Sequence, residues 1–427
     1  MEIAAQIIIG LTLILMLIGK TPLYTTAIVG ATISALVAGI PIAGDAETTI
    51  KGMVTHSMNP VIADMAGVLI FIGVMEYAGY LDVLVRAIIR LGHKAGGGPG
   101  VAVSGGIAAG IIGAFTGFTQ PAITGVVTGP ASVKLGANPN QSAGAHAHAG
   151  HLGNFAGFTH PTLLAIMGLV GIQWGWINVI GATTALSIFA VTFMRMRNWA
   201  RKQAGNELSE EEKAAAVAAF QKQEGDAPVW VALLPFLLLV VAFALGAPVF
   251  LVGFCVSLIV MLMARLSPAK AEGAMLDSVK RVAVPLIATI GFLFMSDVIA
   301  AIGVTELMAG WFEPAFKFAP ILTLVIVSAL AGLLTQSNGA SAAIIVPFVS
   351  IVLAADPNIS GLAVVAAAAG PTSIMQYFLT GGPVAALATV IPVVPGSELK
   401  AANRFQRPSQ LCGLAVVTCI AVAIGGF

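Results

Sequence analysis

Two short polar clusters, each set in a long apolar run, hold the groups with which this chain can do chemistry. Thr116, Thr119 and Gln120 lie in GAFTGFTQPAITGVVTGPASVKLGANP (113–139), and Thr335, Gln336, Ser337, Asn338 and Ser341 lie in GLLTQSNGASAAIIVPFVSIVLAADP (332–357). Each segment passes from a Thr/Ser-Gln/Asn knot through small apolar residues to a proline and then to a second polar turn. The prolines register, Pro130 with Pro347 and Pro139-Asn140 with Pro357-Asn358. Hydroxyls and amides beside the free N–H groups of a helix start bind anions without needing a cation. Unwound carbonyls at the same place hold sodium. Gly339, next to the second knot, lets the backbone come close to a ligand. Thr124 and Ser341 are equally suited to close helix packing.

A second constellation surrounds a run too rich in Gly and Pro for one continuous helix, GAHAHAGHLGNFAGFTHP (144–161), with a counterpart GPTSIMQYFLTGGP (370–383) that contains Thr372 and Ser373. No Cys or carboxylate stands beside His146, His148, His151 and His160, so a metal site is disfavoured and a substrate or proton role favoured. His151, Asn154 and His160 are expected where the break is deepest, and His146 and His148 at the mouth of a cavity. Among the acids, Asp297 is the expected ion-coupling residue. Glu76 is expected to reach water from a helix end, and Asp64 is a further intramembrane acid.

These groups need a scaffold, and the composition says which. Of 427 residues, 58% are hydrophobic and 9% charged, and the mean hydropathy is +0.97. Too few polar residues are present to cover a water-soluble globule, so the chain is an all-α integral membrane protein whose partner is the lipid bilayer. The apolar runs do not alternate, which excludes a barrel. Cys255, Cys412 and Cys419 have no metal or redox spacing, no pattern for nucleic acid is present, and no nucleophile–base pair suggests an enzyme. A polar knot at membrane depth must be enclosed by protein or line a watery cavity.

Apolar runs and breaks follow the same order twice. The first repeat, 1–194, holds five crossings, with a re-entrant hairpin at about 107–136 and a broken helix at about 143–171. The second, 228–427, holds five more, with a hairpin at about 325–354 and a broken helix at about 362–391. An odd number of crossings makes the repeats inverted copies. Between them lies a polar linker, 195–227, that opens on Arg195, Arg197, Arg201 and Lys202 and contains an acidic-alanine helix N-capped by Ser209. Placing the linker in the cytoplasm leaves Lys51 and Lys317 as the outside exceptions among 20 Lys and Arg. The expected location is a bacterial inner membrane, with both termini outside.

With the hairpins in view, the chain resembles the ion transporter superfamily, which includes divalent-anion/sodium symporters, citrate carriers and gluconate permeases. Ser337-Asn338-Gly339-Ala340-Ser341 followed by Pro347 is similar to the Ser-Asn-Thr motif of the symporters, with Gly339 in place of the threonine. The first hairpin has Thr119-Gln120-Pro121 where that motif would stand. The resemblance implies a homodimer working as an elevator. Ser337-Asn338 and Thr119-Gln120 would hold a substrate carboxylate, and Na+ would sit at the hairpin tips.

The sequence therefore predicts a secondary transporter of a small organic anion, a mono- or dicarboxylate, coupled to Na+ or H+, with no bound cofactor beyond that ion. Substrate contacts are expected from Thr119, Gln120, Ser337, Asn338, Gly339, His151, Asn154, His160, Thr372 and Ser373, and ion coupling from Thr116, Thr335, Ser341 and Asp297. Two alternatives stay open, a Na+/H+ antiporter using Asp64 or Asp297 and the membrane subunit of a binding-protein-dependent transporter.

Overall fold

Proline and glycine decide where the helices of this chain begin, bend and stop. A computed structural model describes residues 1–18, 21–44, 46–58, 60–116, 119–202, 210–218, 220–245, 247–281, 283–379 and 386–426, and every regular element among them is helical. α1 (Glu2–Ile18), α2 (Leu23–Ala38), α3 (Ile50–Ser57) and α4 (Pro60–Tyr77) lead into α5 (Tyr80–Thr116). α5 bends at Gly96 and Gly97, where Gly97 takes φ 54°, a conformation that residues with a Cβ rarely adopt. α6 (Ala122–Lys134), α7 (Pro139–Ala147), α8 (Ala149–Phe155), α9 (Pro161–Val170) and α10 (Trp176–Lys202) follow. Pro139 and Pro161 stand at the first helical position, where the missing N–H costs nothing.

After α11 (Glu210–Ala218) come α12 (Val229–Ala244), α13 (Val249–Met263), α14 (Pro268–Arg281), α15 (Ala283–Ala301) and α16 (Val304–Phe318). The remaining helices are α17 (Pro320–Thr335), α18 (Asn338–Ala355), α19 (Gly361–Met375), α20 (Ala386–Val390) and α21 (Leu399–Gly425). α10 continues through the cations at the start of the polar segment to Lys202, and positive charge at a helix C-terminus complements the macrodipole. The expected Ser209 cap lies outside the described residues.

Two packed groups form. In one, α1 lies on α2, α4 on α13 and α14, and α15 on α2 and α3, so each of α4 and α15 is clasped by elements from the other half of the chain. In the other, α5 packs on α6 and α8, α17 on α18 and α19, and α21 on α10 and α19. α9 joins the groups by touching α15 and α18. The α4–α13 crossing is close because Gly67 and Gly253 face each other, and a Cβ on either would run into the partner's backbone.

Among the described residues, five helices are long and apolar enough to cross a bilayer, or six if α15 and α16, bent by 76°, act as one. Seven further apolar helices have 10–17 residues. A 16-residue helix such as α12 rises roughly 24 Å, short of the roughly 30 Å hydrocarbon layer, so local thinning or its neighbours must make up the difference. Large apolar side chains such as Ile3, Leu11, Trp230, Leu237, Val241 and Leu262 point outward. That surface suits lipid, and the chain is a multi-pass helical membrane protein.

The segment after α11 is tied to α5 by a bidentate contact in which Arg86 Nε and Nη2 donate to the Asp226 carboxylate, the Nε bond being 3.2 Å. The Gln223 N–H also donates to Asp226, at 2.9 Å, and this bond, aided by Arg86, holds the Asp226 carboxyl below the ordinary carboxylate range. A lowered pKa places the contribution at neutral pH and removes it as pH falls through the folded value. Hydrogen exchange of residues 220–227, corrected for its intrinsic pH dependence, is expected to stay slow from pH 7 down to about pH 4 and to rise below it. Asp226→Asn should exchange fast already at pH 7, and unchanged exchange in this variant would show that the contact does not hold the segment.

Candidate functional site

The α5–α6 turn and the α17–α18 turn come to the same place, the break between α8 and α9 at residues 156–160. From the first pair, the Ala114 carbonyl accepts from the Phe158 N–H at 2.7 Å and from Thr159 Oγ1 at 3.4 Å. Thr119 Oγ1 donates to Asn154 Oδ1 at 3.4 Å, and Asn154 Nδ2 donates to Tyr377 Oη at 2.8 Å. From the second pair, the Asn338 carbonyl accepts from Thr162 Oγ1 at 2.9 Å, and Asn338 Nδ2 donates to His160 Nε2 at 3.0 Å. The break thus joins two turns far apart in sequence, and its own Ala156 and Gly157 carbonyls accept from Asn178 Nδ2 of α10 at 3.0 and 3.3 Å.

The α17–α18 turn also carries internal hydrogen bonds of its own. Gln336 takes φ 49° and ψ 26°, the left-handed region that costs a non-glycine residue energy. Thr335 Oγ1 and Ser341 Oγ lie 2.7 Å apart and both donate toward the Ser337 carbonyl, at 3.0 and 2.8 Å. Ser337 Oγ caps α18 through a long bond from Ala340 N at 3.5 Å. Gly339 follows in the first turn of α18. Two polar atoms at this turn are buried without a partner, Gln336 Oε1 and Asn338 Oδ1. Turning the Asn338 amide over would only exchange an unpaired acceptor for unpaired donors, so an open hydrogen-bonding group remains in either orientation.

The remaining candidates separate clearly. Thr116 Oγ1 donates back to the Ile112 carbonyl at 3.1 Å, and Gln120 is exposed. Thr372 Oγ1 donates to the Ser328 carbonyl of α17 at 2.8 Å, which seats α19, and Ser373 Oγ donates back along its own helix to the Gly370 carbonyl at 2.9 Å. Asp297 is paired with His56, Oδ2 to Nδ1 at 2.9 Å, in the other helix group. Asp64 accepts from the Phe250 N–H at 3.3 Å.

The histidines do not lie as the sequence suggests. His146 and His148 are fully buried, and neither stands at a cavity mouth. His146 Nδ1 donates to the Ser142 carbonyl at 2.8 Å while Nε2 meets Thr128 Oγ1 at 2.6 Å, and His148 Nε2 meets Thr192 Oγ1 at 2.8 Å. Small residues around them let the helices close over the rings, which hydropathy along the chain does not reveal. His151 Nδ1 faces the Ser373 carbonyl at 3.2 Å and must donate there, which leaves Nε2 to accept from Gln410 Nε2 at 3.4 Å. That arrangement fits the neutral ring.

Tyr377, Gln406 and Gln410 were missed by sequence reasoning. Gln406 and Gln410 both donate to the Tyr377 carbonyl, at 2.9 and 3.2 Å. Their spacing of four in the polar first part of α21 puts two amides on one face, and that was the available signal. Among the described residues no three His, Cys, Asp or Glu side chains gather to hold a metal ion.

Helix pairs whose turns meet at a broken helix, inside a shell of apolar helices, define the class as a multi-pass helical membrane fold with an interrupted-helix centre. Solved structures share it, two of which follow. The fold is similar to that of the Alcanivorax borkumensis YdaH transporter, described as having an unusual topology, with TM-score 0.58 and 15% identity over 88% of this chain and 86% of that one. It is also similar to Neisseria gonorrhoeae MtrF, described as illuminating a class of antimetabolite efflux pumps, with TM-score 0.62 and 14% identity over 95% of this chain and 96% of that one. At such identities the likeness is one of fold. No protein-family model matches the chain, and no curated protein matches it.

Proposed function

We propose that the protein is a secondary active transporter of a small organic anion, a mono- or dicarboxylate, coupled to Na+ or H+. The observation that carries this reading is the convergence of both helix-pair turns on the 156–160 break, with one side-chain amide atom each of Asn338 and Gln336 buried and unpaired at the second turn. Buried polar groups without partners are costly unless a ligand completes them. Ser337-Asn338 at a strained turn supports membership of the ion transporter superfamily, and the shared fold with two transporters supports transport as such.

The finer reading follows from the same features. The clasping of α4 by α13 and α14, and of α15 by α2 and α3, supports two inverted repeats with exchanged helices, 1–194 and 228–427 around the linker 195–227. The group holding α5, α6, α17 and α18 would move as an elevator against the group holding α4 and α15, in a homodimer of the inner membrane with the linker cytoplasmic. Thr335 and Ser341, whose hydroxyls crowd the Ser337 carbonyl, are the proposed Na+ neighbours. The pairing of Asp297 with His56 disfavours the antiporter reading, since that acid already has a partner. The likeness to MtrF favours one variant, export instead of uptake.

Proteoliposomes containing the full chain should accumulate at least one of a panel of labelled mono- and dicarboxylates under an imposed Na+ or pH gradient, each applied separately and in both directions. Accumulation under neither gradient, with Na+-driven H+ movement instead, would replace this reading by the antiporter.

A further inference from the structure

Away from the helix break, α5 and the segment around α11 form an open cavity of about 370 Å³, near the lower end of the size of small-molecule sites. Its polar lining includes Arg90, His93, Lys94, Gln221 and Lys222, its apolar wall Val217 and Phe220, and among the described residues no carboxylate. The placement of the basic groups follows from helix periodicity. Arg86, Arg90, His93 and Lys94 recur at spacings of three and four along α5, so they share one face.

Along that face the charges are treated differently. Arg86 has the Asp226 carboxylate, which is also held by the Gln223 N–H. One turn on, Arg90 Nη1 and His93 Nδ1 are buried and have no hydrogen-bond partner. Leaving a guanidinium donor dry and unpaired costs more than leaving a neutral group so. Asp226, which feels the Arg90 charge, is already hydrogen-bonded by two other donors and does not line the cavity. Phe220 lies against His93 with ring centroids 6.2 Å apart, and it is anchored in an apolar cluster with Ile89, Val101 and Ala131. The floor is therefore fixed, while Lys94 and Lys222 at the rim are exposed.

We propose that this cavity binds a phosphate group, with Arg90 and His93 donating from the floor and Lys94 and Lys222 from the rim. A guanidinium fork matches phosphate oxygens, and lysines add charge without demanding geometry. The same chemistry serves an anionic phospholipid headgroup at the membrane surface or a soluble phosphate compound. Bound there, the anion bridges α5 to the segment between the two halves of the chain.

The test uses the full chain in neutral detergent and two probes. Inorganic pyrophosphate is titrated calorimetrically, and retention of dioleoylphosphatidylglycerol against dioleoylphosphatidylcholine is read by native mass spectrometry after delipidation. At least one anionic probe is expected to bind, and to bind about tenfold more weakly to Arg90→Gln/His93→Gln, with Lys270→Gln on exposed α14 unchanged. Preference for phosphatidylglycerol assigns a lipid, and binding of pyrophosphate alone assigns a soluble ligand. Should the double variant fail to fold, Lys222→Gln at the exposed rim carries the comparison, with a weakening of about fivefold. The proposal is overturned if neither anion binds, or if binding is the same in these variants as in the wild type.

Discussion

Asn338→Ala is expected to cut the initial rate of anion transport at subsaturating concentration by about tenfold to a hundredfold while the chain still folds. The Asn338 amide is held on one side by His160, and with the amide turned so that Oδ1 accepts from His160 Nε2–H its Nδ2 is the open group that donates to the anion. A hydrogen bond to a charged group contributes about 1.5–3 kcal/mol, and that range sets the expected factor. The α18 backbone does not depend on the amide, because the Asn338 carbonyl receives Thr162 Oγ1 and Ser337 is the cap. Initial rates in proteoliposomes, measured beside size-exclusion profiles and circular dichroism, separate the outcomes. A folded variant with unchanged concentration dependence would make Asn338 a packing residue and remove the central support for an anion site at this turn.

Gly253→Ala should produce the largest loss of stability of any single methyl addition in the α4–α13 crossing. A Cβ at Gly253 would overlap the Gly67 carbonyl, and one at Gly67 would overlap the backbone of Phe250. Backbone atoms in a packed helix cannot swing away as a side-chain tip can, so the helices must separate. Overpacking of this sort costs about 1–3 kcal/mol, and lost dispersion along the seam adds to it. Gly273→Ala is the control, because nothing lies within 4 Å of its added methyl. Thermal unfolding followed by fluorescence-detected size exclusion should show Gly253→Ala melting well below the wild type and Gly273→Ala at or above it. Equal melting of the two variants would mean that the crossing is looser than its geometry indicates.

His151 shows how the tertiary structure alters a sequence expectation. In isolation it is a histidine in a glycine-rich break and a natural proton carrier. In place, both nitrogens are occupied, Nδ1 by the Ser373 carbonyl and Nε2 by the Gln410 amide. Adding a proton at Nε2 would set it against an amide N–H, so proton transfer there requires Gln410 to turn. His160 differs, because it meets the Asn338 amide, and its protonation state is thereby linked to the turn that bears the open Asn338 group.

Much of the helical framework was legible because its causes are local. Pro139, Pro161 and Pro320 start helices through their fixed φ, Gly39 and Gly171 stop them in the left-handed region, and runs of apolar residues require lipid or protein around them. Boundaries were harder to read where the chain is helical on both sides of a change in polarity. α10 carries its cations to Lys202, and α21 begins at Leu399 although its early residues are polar.

What the sequence by itself determined is that this chain is a helical membrane protein, interrupted at defined places, with polar groups at the interruptions. Composition, Pro and Gly placement and short polar knots are properties of neighbouring residues, and they act over a few positions of chain. Which polar groups meet was decided by the tertiary structure alone. Asn154 finds Tyr377 across 223 residues, His151 finds Gln410 across 259, and His160 finds Asn338 across 178. A buried donor takes whichever acceptor packing brings within about 3 Å, and that proximity is fixed by how whole helices cross, at sites such as Gly67 and Gly253, and not by the residues beside it in the chain.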